Sequence, residues 1–215
     1  RDRSPSRGLG DVYKRQVLKE HLIQTRDANF IPQYTLDGEC SVKLPYYYRL
    51  DNNKYPIEDI VDAAMLSGTG EQAILKQIEL LQSDNQFVSY WASVGLFAQR
   101  QNLQSYVSQL GKILPVLAYP PAQIWLASAI LNIKENKEAR SVLAKHLVGE
   151  NRFLTIYVLN ALLEMDLDKA KTFIPQLREI ESKYGNNQKR VGVEDMMKIA
   201  RLRLEGKDFQ FDTYW

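Results

Sequence analysis

Few residues of this chain have the type and spacing that catalysis or metal binding requires. His21 and His146 are each alone on their predicted helices, without the second histidine or the cysteine that a zinc site needs. His146 lies beside Leu143 and Leu147 on an apolar face, which favours a partly buried, hydrogen-bonded histidine over a metal ligand. We therefore predict no catalytic, cofactor-binding or metal-binding residue in this sequence.

A cluster of tyrosines is the one unusual polar feature. Tyr46, Tyr47, Tyr48 and Arg49 are consecutive, and Tyr55 follows shortly after them. Tyrosine and arginine are enriched at protein recognition surfaces. The simpler interpretation is a loop that its rings hold against the first helical hairpin, and the functional alternative is a contact between domains.

Composition sets limits on the classes of function. The chain has 215 residues, which suits one domain, and its 25% of charged residues leave a formal net charge of only +2. A dedicated nucleic-acid-binding domain concentrates lysine and arginine on one face, so this balance argues against one. Cys40 is the only cysteine, which excludes an intrachain disulfide and leaves the cellular compartment open. No apolar run approaches the roughly 20 residues of a membrane-spanning helix.

The helical elements repeat along the chain. Three segments, 87–96, 122–131 and 153–162, share one apolar pattern at offsets of 35 and then 31 positions. This period is typical of stacked helical hairpins, because a single hairpin cannot bury its apolar stripe alone. Pro115 and Pro175 stand in matching apolar-Pro-x-Leu sequences, which predicts bent first helices similar to those of HEAT repeats. We predict an all-α fold, a HEAT-like α-solenoid of stacked helical hairpins.

The repeat also predicts which side chains meet between hairpins. We expect Trp91, Trp125 and Ile156 to occupy equivalent positions in the three copies. Trp91 and Ala92 should be buried between consecutive hairpins. Gly95 lies in the same apolar stripe, which indicates that another helix approaches closely there.

The chain divides into four parts by composition. Residues 1–16 are basic and rich in turn formers, and they look like a translated sequencing-adapter leader on a fragment; the alternative is a basic arm that contacts phosphate or an anionic lipid surface. Residues 17–54 contain a predicted helix and a long irregular linking loop. Residues 55–204 form the predicted repeat domain, and residues 205–215 are an aromatic tail.

Four short motifs, in order and spacing, resemble the C-terminal extension of bacterial sulfatases of the arylsulfatase type. The motifs are Thr25-Arg26-Asp27, Phe30-Ile31-Pro32, Lys54-Tyr55-Pro56-Ile57, and Tyr90-Trp91-Ala92 with Gly95-Leu96. The resemblance covers about residues 14–163. It implies a HEAT-like region that follows an alkaline-phosphatase-like catalytic domain, in a sulfuric ester hydrolase acting on sulfated carbohydrate in the periplasm or outside the cell.

The catalytic motif of that family is not found in this sequence. In that family the active site has a motif of the type Cys-or-Ser-x-Pro-x-Arg. Its first residue is converted to formylglycine and lies beside a calcium ion. Cys40 is followed by Ser41, Val42, Lys43 and Leu44, so the proline and the arginine are both missing. Calcium and formylglycine are therefore expected of the parent enzyme and not of this chain. The candidate interdomain contacts are Arg26, Asp27, Tyr46, Tyr47, Tyr48, Arg49 and Tyr55.

Two functions remain open from the sequence. The first is a non-catalytic region of a sulfatase that acts as a structural buttress or interdomain scaffold, with an upstream catalytic domain as its partner. The second is a free-standing HEAT-like scaffold that binds a protein or peptide on its concave face.

Overall fold

A computed structural model describes residues 56–65, 70–184 and 193–207 of the chain. Every regular element within these ranges is a helix and none is a strand, which confirms the predicted all-α class. The predicted leader, the first helix and the linking loop lie outside the described residues. So does the predicted tail, apart from residues 205–207.

The described residues contain ten α-helices and four 3-10 turns. The α-helices are α1 (Ile57–Met65), α2 (Glu71–Leu81), α3 (Gln86–Ala98), α4 (Val107–Ile113), α5 (Pro120–Ile133), α6 (Lys137–Val148), α7 (Arg152–Glu164), α8 (Leu167–Ala170), α9 (Ile174–Tyr184) and α10 (Val193–Leu204). Four 3-10 turns accompany them: Arg100–Asn102, Gln104–Tyr106, Leu114–Val116 and Lys171–Phe173. Pro115 lies inside the third turn and Pro175 directly after the fourth turn and Ile174, so both prolines coincide with changes in helical geometry.

Asparagine side chains begin several helices. Asn85 Oδ1 accepts hydrogen bonds from two first-turn N–H groups of α3, at 3.0 and 3.3 Å. Asn151 does the same for α7, at 3.1 and 3.4 Å, and it stands 66 positions after Asn85, which equals the two repeat offsets together. In the second copy, α5 begins instead with Pro120 and Pro121, whose missing N–H groups need no partner in a first turn.

The helices pack in the order of the chain. Helices α1 and α2 both pack against α3, and α3 packs against α5. Helix α5 contacts α6 and α7, α7 contacts α10, and α9 contacts α10. The second helices of successive hairpins, α3, α5, α7 and α10, therefore touch one another in sequence. We call these four helices the inner row.

Burial repeats along the inner row with the offsets read from the sequence. The five pattern positions buried in each of the three copies are 89/124/155, 92/127/158, 93/128/159, 95/130/161 and 96/131/162. These positions follow the helical period, so each helix presents the same face to the core. The shared core extends through all the hairpins as one cluster of buried side chains.

Side chains of the second helices close the hairpin turns. Ser89 Oγ donates to the carbonyl of the last residue of α2 at 2.8 Å. Thr155, at the equivalent position of the third copy, donates through Oγ1 to the His146 carbonyl of α6 at 3.1 Å. The second copy uses Gln123, whose Nε2 donates to the Leu117 carbonyl at 2.5 Å. Each bond satisfies a carbonyl at or near the end of a first helix, where intrahelical donors run out.

Of the two α3 residues predicted to be buried, Trp91 and Ala92, only one is buried. Ala92 is fully buried, as predicted, whereas Trp91 is 36% exposed, so its predicted burial between hairpins is wrong. Successive helical residues differ by about 100° around the axis, so Trp91 cannot share the face that Ala92 presents to the core. Its ring lies against Tyr90 instead, with the centroids 5.4 Å apart in an edge-to-face geometry.

The predicted equivalence of Trp91 and Trp125 is also wrong by one position. At the repeat offsets, Trp125 aligns with Tyr90 and with Ile156, and all three side chains are partly buried. The Trp125 ring packs edge-to-face on Phe97 of α3 at 5.0 Å, so it joins two consecutive hairpins. Trp125 and Ile156 are therefore equivalent as predicted, and the tryptophan of the first copy is not.

A close approach at Gly95 is confirmed. A Cβ atom on Gly95 would lie 2.1 Å from Nε2 of Gln77 in α2 and 3.3 Å from the Ala63 carbonyl of α1. Gln77 is fully buried, donates to that carbonyl at 3.3 Å, and accepts a hydrogen bond from Gln99. The glycine therefore makes room for a buried amide that links α1, α2 and the end of α3.

Polar side chains join three copies at the C-terminal ends of the inner row. Arg100, after α3, pairs through Nη2 with Asp166 Oδ1 at 2.9 Å, and its guanidinium lies 4.7 Å above the Phe97 ring. Asn132, near the end of α5, accepts from the Asp166 backbone N–H at 2.8 Å. Asp166 follows α7, so these bonds hold the ends of α3, α5 and α7 together.

Candidate interaction surface

Four aromatic side chains meet around Tyr90 on the inner row. The Tyr90 ring makes edge-to-face contacts with Trp91 at 5.4 Å, Tyr119 at 6.4 Å and Tyr157 at 5.9 Å. Tyr90 and Trp91 belong to α3, Tyr119 is the residue before α5, and Tyr157 belongs to α7. We call these four residues the aromatic surface. It spans three consecutive hairpins.

The tyrosine hydroxyls of this surface are held in partly apolar surroundings. Burial, and secondarily the neighbouring Tyr157, raise the pKa of the Tyr90 and Tyr119 hydroxyls. The Trp125 N–H lies near the Tyr90 hydroxyl and opposes the rise in its pKa, but without the geometry of a full hydrogen bond. The Tyr90 and Tyr119 hydroxyls therefore stay protonated and remain donors at neutral pH.

Two hydroxyl donors of this surface have no acceptor among the described residues. The Tyr119 and Tyr157 hydroxyls make no hydrogen bond to any described residue, although both rings are partly buried. Exposed aromatic rings with unused hydroxyl donors are a common composition of protein-binding surfaces.

Three of the four helices of the inner row, α3, α5 and α7, carry little charge. Helices α3 and α5 contain no Asp, Glu, Lys or Arg, and α7 contains only Arg152 and Glu164, at its two ends. Other helices differ, because α6 has five ionisable side chains among its twelve residues and α10, the last helix of the inner row, has five charged side chains among twelve. Beside Arg152, Phe153 is 62% exposed, so a large apolar side chain lies in solvent at the start of α7.

A cavity opens next to Tyr119. It has a volume of about 380 Å³ and lies between the α2–α3 turn and the segment that precedes α5. Its walls combine apolar groups such as Leu117 with polar groups such as Ser89 and Gln86, and they include the carboxylate of Asp84. This volume lies at the lower end of the range that small ligands or single side chains of a partner occupy.

The predicted interdomain contacts lie outside the described residues. This holds for Arg26, Asp27, Tyr46, Tyr47, Tyr48, Arg49 and Tyr55, and these predictions stay predictions.

Of the two histidines, only His146 is described. It is buried, where the sequence predicted partial burial, and burial, then the charge of Lys145, lower its pKa. Its Nε2 has no hydrogen-bond partner among the described residues, so the predicted hydrogen bond is absent at that atom.

Residues 56–65, 70–184 and 193–207 contain no group of three His, Cys, Asp or Glu side chains that could hold a metal ion. No helix in them combines the length and the hydropathy that crossing a bilayer requires.

Sequence reasoning missed the aromatic surface. Tyr90 and Tyr157 are 67 positions apart, and Tyr119 lies between helices, so no repeat offset links the three. The available signal was the absence of charge from α3 and α5, which is unusual for helices with a solvent-exposed side.

Comparison of the chain with protein families, curated proteins and solved structures found no match.

Proposed function

We propose that this chain is a non-catalytic scaffold, built as a HEAT-like α-solenoid, that binds another protein surface through its inner row. Three observations support the solenoid: the second helices touch in chain order, their buried positions repeat, and similar hydrogen bonds close the hairpin turns. In such stacks each repeat contacts mainly its neighbours, which leaves one extended face of second helices for a partner.

The main support for a binding function is the aromatic surface. Its four rings come from three hairpins, so a partner that covers them would contact the stack across its repeats. Trp91 and Phe153 are exposed without any contribution to the core that would explain their size. Exposed aromatic groups at this density mark interaction sites more often than chance placement.

We further propose that the scaffold is the C-terminal region of an arylsulfatase-type sulfatase. Its partner would then be the catalytic domain of the same enzyme, and its role would be that of a buttress. The resemblance of the ordered motifs supports this setting. The Tyr90-Trp91-Ala92 motif contributes two rings to the aromatic surface, and Gly95 makes the close helix contact.

The sulfatase setting is tested by sequencing the genomic locus upstream of the codon for Lys14. An in-frame Cys-or-Ser-x-Pro-x-Arg motif within a catalytic domain is the expected result. A start codon followed directly by this helical region would contradict the setting and favour the free-standing scaffold.

Enzyme assays test the non-catalytic role. The purified 215-residue chain should not hydrolyse an aryl sulfate, with or without added calcium. Calcium-dependent hydrolysis above the rate of a buffer blank would contradict this proposal.

A further inference from the structure

We propose that the aromatic surface binds an extended, uncharged polypeptide segment that contains proline, in the polyproline II conformation. The inference rests on the proposed scaffold function and narrows it to one class of partner.

The unused hydroxyls favour an extended partner over a helical one. A helix satisfies its backbone carbonyls internally, so it gains little from hydroxyl donors on the surface it covers. A polyproline II segment has no internal hydrogen bonds, and its carbonyls point outwards along its length. The Tyr119 and Tyr157 hydroxyls, on successive hairpins, can donate to such carbonyls, since neither has a partner among the described residues.

The lack of charge favours an uncharged partner. A lysine or carboxylate buried against α3 and α5 would lose its hydration without meeting an opposite charge on either helix. In the helices that contain Tyr90, Trp91 and Tyr157, the ionisable groups are confined to the ends of α7, at Arg152 and Glu164, and Asp84 lines the cavity beside Tyr119. An uncharged segment avoids that desolvation penalty.

The arrangement of the rings suits proline. The rings around Tyr90 stand at 74° to 76° to its plane, so the surface is ridged and not flat. Proline rings are compact and apolar, lack an N–H that needs an acceptor, and pack against aromatic side chains where polyproline II segments are recognised. The cavity of about 380 Å³ beside Tyr119 offers room for a side chain at one end of the segment.

Peptide binding to the full chain is the direct test. An oligoproline peptide is titrated by isothermal calorimetry, beside a glycine–serine peptide of equal length and an uncharged amphipathic helical peptide. We expect saturable binding of the oligoproline at or below about 1 mM and no saturation by the other two. Failure of the oligoproline to bind, or equal binding of the helical peptide, overturns the inference.

Matched variants assign the binding to the surface. Tyr119→Phe and Tyr157→Phe each remove one hydroxyl and keep the ring, and each should weaken binding about two- to tenfold. Trp91→Ala should weaken it about tenfold or more. Leu75→Ala is the control, because Leu75 is exposed on α2, outside the inner row, and its loss should leave affinity unchanged.

Folding is checked by the melting temperatures of all four variants, which should stay close to that of the parent chain. Unchanged affinity in both phenylalanine variants would overturn the inference, because the hydroxyl donors would then not be used. Binding of the helical peptide in a Trp91-dependent manner would overturn it too, while leaving the proposed scaffold function intact.

Discussion

Replacing Gly95 by alanine tests the close contact of α3 with α1 and α2. The new Cβ would lie 2.1 Å from Gln77 Nε2 and 2.9 Å from its Cδ, well inside van der Waals contact. The Gln77 amide would have to move. It is fully buried, donates to the Ala63 carbonyl and accepts from Gln99, so its displacement would break these buried hydrogen bonds.

The expected magnitude follows from opposing effects. Alanine in a helix interior is favoured over glycine by about 1 kcal/mol. Overpacking a core costs about 1–3 kcal/mol, and leaving a buried amide without its partner costs about 1–3 kcal/mol. We therefore expect Gly95→Ala to lower the free energy of unfolding by about 1–5 kcal/mol. At about 2–4 °C per kcal/mol for a chain of this size, the melting temperature should fall by roughly 2–20 °C.

Thermal and urea unfolding, followed by far-UV circular dichroism, measure the effect. Gly111→Ala in α4 is the matched control, because its Cβ would meet only Asn136 Nδ2, at an ordinary 3.7 Å. It should be neutral or stabilise by up to about 1 kcal/mol. A Gly95→Ala variant as stable as Gly111→Ala would refute the packing described here. In the double variant Gly95→Ala/Gln77→Ala the combined loss should be smaller than the sum of the two single losses.

Two further predictions concern stability. Trp91→Ala should cost less than about 1.5 kcal/mol because the ring is partly exposed, whereas Phe173→Ala, at a fully buried position, should cost about 3–5 kcal/mol in the same urea titrations; equal costs would contradict the burial assigned to α3. Lys207, then Arg178 and, less strongly, Arg201, hold the pKa of Glu205 down at about 2. Its stabilising contribution is therefore present above the ordinary carboxyl pKa and is lost as the pH falls through about 2. The stability gap between the parent and Glu205→Gln should narrow on acidification from neutral pH, and a gap that stays constant would count against this ion-pair cluster.

The all-α class and the repeat could be predicted because both depend on periodic burial. The positions equivalent to Ala92 and Leu96 are buried in all three copies. A periodic pattern of apolar residues predicts burial of this kind. The close contact at Gly95 could also be predicted, since a glycine within an apolar stripe indicates that another helix approaches closely. Its partner in that contact, the Gln77 amide, could not be predicted, because a buried polar side chain interrupts the apolar pattern that identifies the core.

The position of Trp91 and the aromatic surface could not be predicted in the same way. The sequence pattern predicts that a large apolar residue such as Trp91, next to a buried position, is buried too. One step along a helix, about 100° around its axis, is enough to turn such a side chain towards solvent. The meeting of Tyr90, Tyr119 and Tyr157 depends on how far the hairpins turn relative to one another. That rotation is set by packing across the inner row, and it leaves no fixed spacing in the sequence.

The stacking order of the hairpins is tested most directly by distances between spin labels at the ends of the inner row. Single cysteines are placed in pairs at Ala98, Glu164 and Arg203, all exposed, on α3, α7 and α10 in a Cys40→Ser background. Neighbouring helix axes lie about 8–10 Å apart, so separation should grow with each helix along the row. Electron–electron double resonance should give the shortest distance for Glu164–Arg203, a longer one for Ala98–Glu164 and the longest for Ala98–Arg203. An Ala98–Arg203 distance no longer than the other two would indicate a closed bundle and contradict the solenoid.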